Sequence, residues 1–135
     1  MLKVLVRQPG RVSSAALAAS GIGIAVQPQQ ATRVLRLSAT SSRGIAEIRA
    51  GLGGTFAALG LWALARGSKD AYRAVGLTWL GAAAVRTMSL RVDEPELDWT
   101  FWGFLGAEVL FGVAGVVAGP PTYRSPSRTW RRYSL

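Results

Sequence analysis

Between Trp99 and Gly119 the chain runs WTFWGFLGAEVLFGVAGVVAG, 21 residues with one charge, Glu108. Wound as a helix at about 1.5 Å per residue, this run matches the ~30 Å hydrocarbon core of a bilayer. It stops at Pro120 and Pro121, which cannot continue a helix. Such a segment predicts a membrane-crossing helix, and the rest of the chain must be compatible with that environment.

Three further segments lack the charge and turn signals of loops. Residues 44–65, GIAEIRAGLGGTFAALGLWALA, are long enough to cross and carry Glu47 and Arg49 near their start. Residues 72–90 carry Arg73 at one end, where its stem can reach the interface, and Arg86 about a turn from the other. Residues 12–27, VSSAALAASGIGIAVQ, are uncharged but reach only about 24 Å as a helix. The expected fold is therefore all-α, a transmembrane bundle of about four helices spanning 12–27, 44–65, 72–90 and 99–119. A basic segment, 1–11, precedes it and a basic tail, 120–135, follows.

Charge bias supports that count. With four spans, ten Lys and Arg fall on the side of both termini against four (Arg33, Arg36, Arg43 and Arg91) on the other. The positive-inside rule then puts both termini inside, in a bacterial inner membrane or an organelle membrane such as the mitochondrial one. With only the last three spans the two sides carry equal numbers and the rule has no preference. The competing reading of the N-terminus is a targeting segment, because residues 1–46 hold six basic residues, much Ser and Ala, and no acid. Against it, the unbroken apolar stretch SAALAASGIGIAV is not interleaved with Arg. The longer connection, 28–43, places Val34, Leu35 and Leu37 among Arg33 and Arg36, a pattern for a short amphipathic helix along the interface.

Composition narrows the chemistry. Cysteine and histidine are absent, which removes disulfides, common zinc sites, thiol nucleophiles and His general bases. No cofactor, no metal and no enzymatic activity are expected. The net charge of +9 is spread in small groups between apolar stretches, so it orients the chain and meets lipid headgroups, without forming the single basic face of a nucleic-acid binder.

Four ionisable residues fall within the spans: Glu47, Arg49, Arg86 and Glu108. An unpaired charge in the bilayer costs about 2.5 to 3.5 kcal/mol on insertion scales, so such residues face the bundle interior and pair. The expectation is one polar cluster with Glu47 and Arg86 as the direct pair. Glu47 is followed at helical spacing by Gly51 and Gly54, and Glu108 by Gly112, Gly115 and Gly119, so the second and fourth spans are expected to make the closest contact. The loop with Asp93, Glu94, Glu96 and Asp98 reads as a solvated turn. In the tail, Arg124, Arg128, Arg131 and Arg132, with Trp130 and Tyr133, read as contacts to anionic lipid.

Arg43, Gly44, Glu47, Arg49, Gly53 and Gly54, followed by Arg86, Asp93 and Glu108, resemble the pattern of a family of small, functionally uncharacterised membrane proteins of about four helices. The resemblance covers about residues 14–118 and implies the fold but no activity. The first helix departs from it in being shorter and richer in Ser. The function read from the sequence is a non-enzymatic membrane component, an accessory or scaffolding subunit whose partners are lipids and other membrane proteins or itself. The alternative is a small proton- or cation-coupled transporter using Glu108 or Glu47.

Overall fold

The computed structural model describes residues 8–117, all α-helical apart from the connections. Five helices are present among the described residues: α1 Pro9–Val26, α2 Pro28–Val34, α3 Ser42–Arg66, α4 Lys69–Val92 and α5 Trp99–Val117. Two of them, α3 and α5, are long and apolar enough to cross a membrane. The four long helices coincide with the four expected segments to within a few residues, and α2 falls inside the 28–43 connection.

Local chemistry sets the boundaries. Proline opens both α1 and α2, a position where its missing N–H has no helical partner to lose. Ser41 caps α3 by accepting from the Gly44 N–H at 3.1 Å, and Ser68 caps α4 by accepting from Ala71 N–H at 3.2 Å. Between these two helices the chain reverses at Gly67, whose φ of 59° is a left-handed conformation that glycine adopts without strain. Within α3, residues Arg49–Gly54 form a π turn.

The long helices alternate in direction. Gly53 of α3 meets Ala25 of α1, and Gly60 meets Ala18 and Ser14, so α1 and α3 run antiparallel. In the same way Gly76 of α4 lies against Gly112 and Gly115 of α5. At these crossings a methyl group has no room: a Cβ on Gly76 would stand 2.7 Å from the Gly112 carbonyl oxygen, and one on Gly115 would stand 2.6 Å from the Gly76 Cα. The intimate pairs are therefore α4 with α5 and α1 with α3, which corrects the expected pairing of the second and fourth long helices. The physical reason is α1. It packs against α3, α4 and α5 and separates α3 from α5.

Inside the bundle, Leu17 of α1, Ala63 of α3 and Ala71, Tyr72 and Val75 of α4 form the apolar core. Phe56, Leu59 and Trp79 pack against it, Phe101 of α5 is buried as well, and polar side chains share the interior. Ser13 and Ser14 are fully buried; the Ser13 hydroxyl donates to the Phe111 carbonyl of α5 at 2.8 Å, and the Trp79 indole N–H of α4 reaches the Ser13 carbonyl at 3.4 Å. Other large apolar side chains point outward, among them Trp62, Leu77, Val85, Trp102, Leu110 and Val117.

Candidate functional site

Glu108 sits midway along α5, at the centre of the face that also carries Phe101, Phe104, Gly112 and Gly115. The spacing of these residues, three or four apart, puts them on one stripe turned toward α4. Glu108 is 5% exposed, and a carboxylate so placed needs a partner. Arg86 supplies it from α4. Its Nε donates to Oε2 at 2.9 Å and its Nη2 to Oε1 at 2.6 Å, a two-pronged ion pair that uses both carboxylate oxygens. The guanidinium also lies 5.6 Å from the Phe101 ring centre and 5.5 Å from that of Phe104. The rings offer their π faces to the cation, so the two aromatics and the carboxylate together enclose it.

Of the four expected members of one polar cluster, the structure brings together only Arg86 and Glu108. Glu47 lies 3.7 Å from Arg43 on its own helix, both side chains largely exposed, and forms no pair with Arg86. Arg49 opens the π turn, is exposed, and makes no ion pair among the described residues. The Glu47–Arg86 pair is thus corrected to Glu108–Arg86. The reason is position along the helix. Gly53 already meets Ala25, next to last in α1, so residues 42–48 of α3 extend past the end of α1, and none of them is buried. With little packed against it, Glu47 has no burial penalty to drive it inward.

The same displacement explains the glycines. Gly51 and Gly54 are exposed with no neighbouring helix against them, whereas Gly53 and Gly60 are the residues pressed onto α1. Gly112 and Gly115 are buried on the Glu108 face against α4. Gly119 and the tail residues Arg124, Arg128, Arg131 and Arg132 lie outside the described residues.

A second charged group joins two loops at the end of the bundle where α1 finishes and α5 begins. Arg36, in the connection after α2, pairs with Glu96 and, at 2.6 Å, with Asp98. Asp98 has a further role, because its other carboxylate oxygen accepts from the Thr100 hydroxyl at 2.6 Å and from the Phe101 N–H at 2.9 Å. It is the N-cap of α5. These two hydrogen bonds, that from Thr100 first, hold the Asp98 carboxyl below its ordinary range against the opposing effect of desolvation, and the Arg36 charge adds a lesser pull in the same direction. The expected solvated turn missed this cap, for which an Asp directly ahead of an apolar run is the local signal, while Arg36 lies 60 residues from Glu96 and had none.

The side chains gathered here can hold charge and fix helix register. Among the described residues no group of three or more His, Cys, Asp or Glu is placed to hold a metal ion. Comparison with curated proteins and with solved structures finds no match. A family model does match, over residues 10–118, from the second residue of α1 to just past α5. On that match the chain belongs to the family described as Domain of unknown function (DUF4345).

Proposed function

We propose that this protein is an integral membrane protein whose four long helices cross the bilayer and whose role is that of an accessory or scaffolding subunit, exerted through helix contacts without catalysis. The observation that carries the reading is the inverted character of α5. This helix turns Trp102, Val109, Leu110, Val113 and Val117 outward and buries Glu108, Gly112 and Gly115 along with a single large apolar residue, Phe101. In water that arrangement exposes a broad apolar patch of the kind that drives association. In lipid it is the favourable one, because hydrocarbon solvates the apolar face and small residues let backbones approach. At about 1.5 Å per residue, the 19 residues of α5 extend roughly 28 Å, close to the hydrocarbon thickness.

The distribution of charge orients the bundle. At the end holding the start of α1 and the α3–α4 turn, Asp70 is the only acid among the described residues, against Arg11, Arg66, Lys69 and Arg73. At the opposite end the five arginines Arg33, Arg36, Arg43, Arg49 and Arg91 are balanced by Glu47, Asp93, Glu94, Glu96 and Asp98. The basic end, with the termini, faces the cytoplasm or matrix. Coupled transport has less support, since both oxygens of Glu108 are already engaged by Arg86 and Glu47 is exposed near a helix end.

Three measurements test this. The protein should remain with membranes through carbonate extraction; recovery as a soluble monomer without detergent refutes membrane insertion. Solubilised in mild detergent, it should migrate with a stoichiometric protein partner. Proton-coupled uptake by the protein alone in liposomes, lost in Glu108→Gln, would replace the scaffolding role with transport.

A further inference from the structure

Where α1 and α5 separate beyond the Ser13–Phe111 contact, an open groove of about 590 Å³ lies between the last turns of α1, the short helix α2 and the Phe104 ring of α5. Its volume is in the range of small-molecule sites. Ile22, Val26, Val34, Leu35 and Phe104 supply its walls, and among the described residues no ionised side chain lines it. Gln27 and Gln30, on either side of the α1–α2 junction, are its amide groups. Gly23 forms part of the floor, with nothing within 4 Å of where a Cβ would stand, so the space beside it is empty of protein.

We propose that this groove binds one acyl chain of a membrane phospholipid, with the Gln27 and Gln30 amides hydrogen-bonded to the ester carbonyls at its head. The proposal rests on the membrane reading above. The occupant follows from the lining. A peptide strand would bring backbone polar groups that these walls cannot satisfy, and an ionic ligand would meet no counter-charge. An uncharged hydrocarbon chain meets matching walls, and its ester linkage meets amides able to donate to it. Outward, the groove is continuous with the apolar surface at Ile22, Val26 and Val34, each at least 46% exposed, so a chain enters sideways from the lipid. The α2 wall is fastened by the chain that follows it, through Arg36 to Glu96 and Asp98.

Native mass spectrometry of the full chain, delipidated in mild detergent and then incubated with a single phosphatidylcholine, tests the site. The expected spectrum shows one phospholipid held per chain. In Val34→Asp, which places a charge on the exposed rim, occupancy falls about tenfold, the equivalent of ~1.4 kcal/mol. Gly23→Trp, filling the floor, abolishes binding, while Gly106→Trp on the outer face of α5, where there is also open space, leaves it unchanged. Circular dichroism checks that each variant keeps its helices, and Val34→Asp carries the test if Gly23→Trp does not fold. Retention of detergent only, no retained lipid, or equal retention in Val34→Asp and wild type overturns the site. None of these outcomes bears on carbonate extraction, so the groove can fail while membrane insertion stands.

Discussion

Removing Arg86 should damage this protein more than removing Glu108, although the two form one ion pair. In Arg86→Ala the carboxylate stays where it is, 5% exposed at the middle of α5, and loses both of its hydrogen bonds. A buried pair broken in this way costs about 3 to 5 kcal/mol, because the remaining charge keeps its desolvation penalty without its compensating attraction. In Glu108→Gln the survivor is a long arginine whose side chain is already 27% exposed and only six residues from the end of α4. It can extend its head toward the interface, and the glutamine can still accept one hydrogen bond. The expected loss is about 1 to 3 kcal/mol. The double change Arg86→Ala/Glu108→Gln should recover part of the Arg86→Ala loss, leaving a coupling of at least ~1 kcal/mol.

Arg86→Lys adds a sharper test. Lysine keeps the charge but not the planar fork that spans both carboxylate oxygens, and it presents no flat face to Phe101 and Phe104. It should recover less than half of the Arg86→Ala loss. The assay is reversible unfolding in bicelles, followed by circular dichroism over a denaturant titration of the four variants and wild type. Equal losses for Arg86→Ala and Glu108→Gln, or no coupling in the double-mutant cycle, would show that the pair is solvated and that the depth assigned to Glu108 is wrong.

The glycine crossings predict opposite outcomes for one substitution: Gly76→Ala and Gly115→Ala should each destabilise the bundle by about 1 to 3 kcal/mol in the same unfolding assay, whereas Gly106→Ala and Gly54→Ala, with no helix against them, should be neutral or slightly stabilising. Because the folded carboxyl of Asp98 titrates below its ordinary value near 3.8, its contribution is present above that value and is lost as pH falls through the lower folded one. The melting-temperature difference between wild type and Asp98→Asn should accordingly be constant near neutrality and shrink only below about pH 4. The chain has no cysteine, so single-cysteine variants label at one place: Ser38→Cys should react with an impermeant maleimide from the outside of sealed membranes and Lys69→Cys only after permeabilisation. Labelling in the reverse order would invert the orientation, and equal labelling of both would argue against a crossing by α3.

The sequence made the elements legible, while the partners of those elements were legible only in part. Apolar runs bounded by Pro, Gly67, Ser41 and Ser68 mark helix positions because those signals are local. Pairing between helices depends on which faces meet, and the decisive residue was the depth of each charge. The rule that a charge within a long apolar helix turns inward holds for Glu108, nine residues from the start of α5, where the carboxylate is buried against Arg86. It fails for Glu47, the sixth residue of α3, because that helix runs on beyond α1 into a region where the carboxylate is accessible. The small residues following each acid share its face, so Gly112 and Gly115 are buried with Glu108 and Gly51 and Gly54 are exposed with Glu47. One misplaced acid therefore misassigned a whole stripe and, with it, the closest helix pair. The short α1, whose Ser content departs from the resembled family, packs against three other long helices, and there Ser13 and Ser14 have backbone carbonyls to bond.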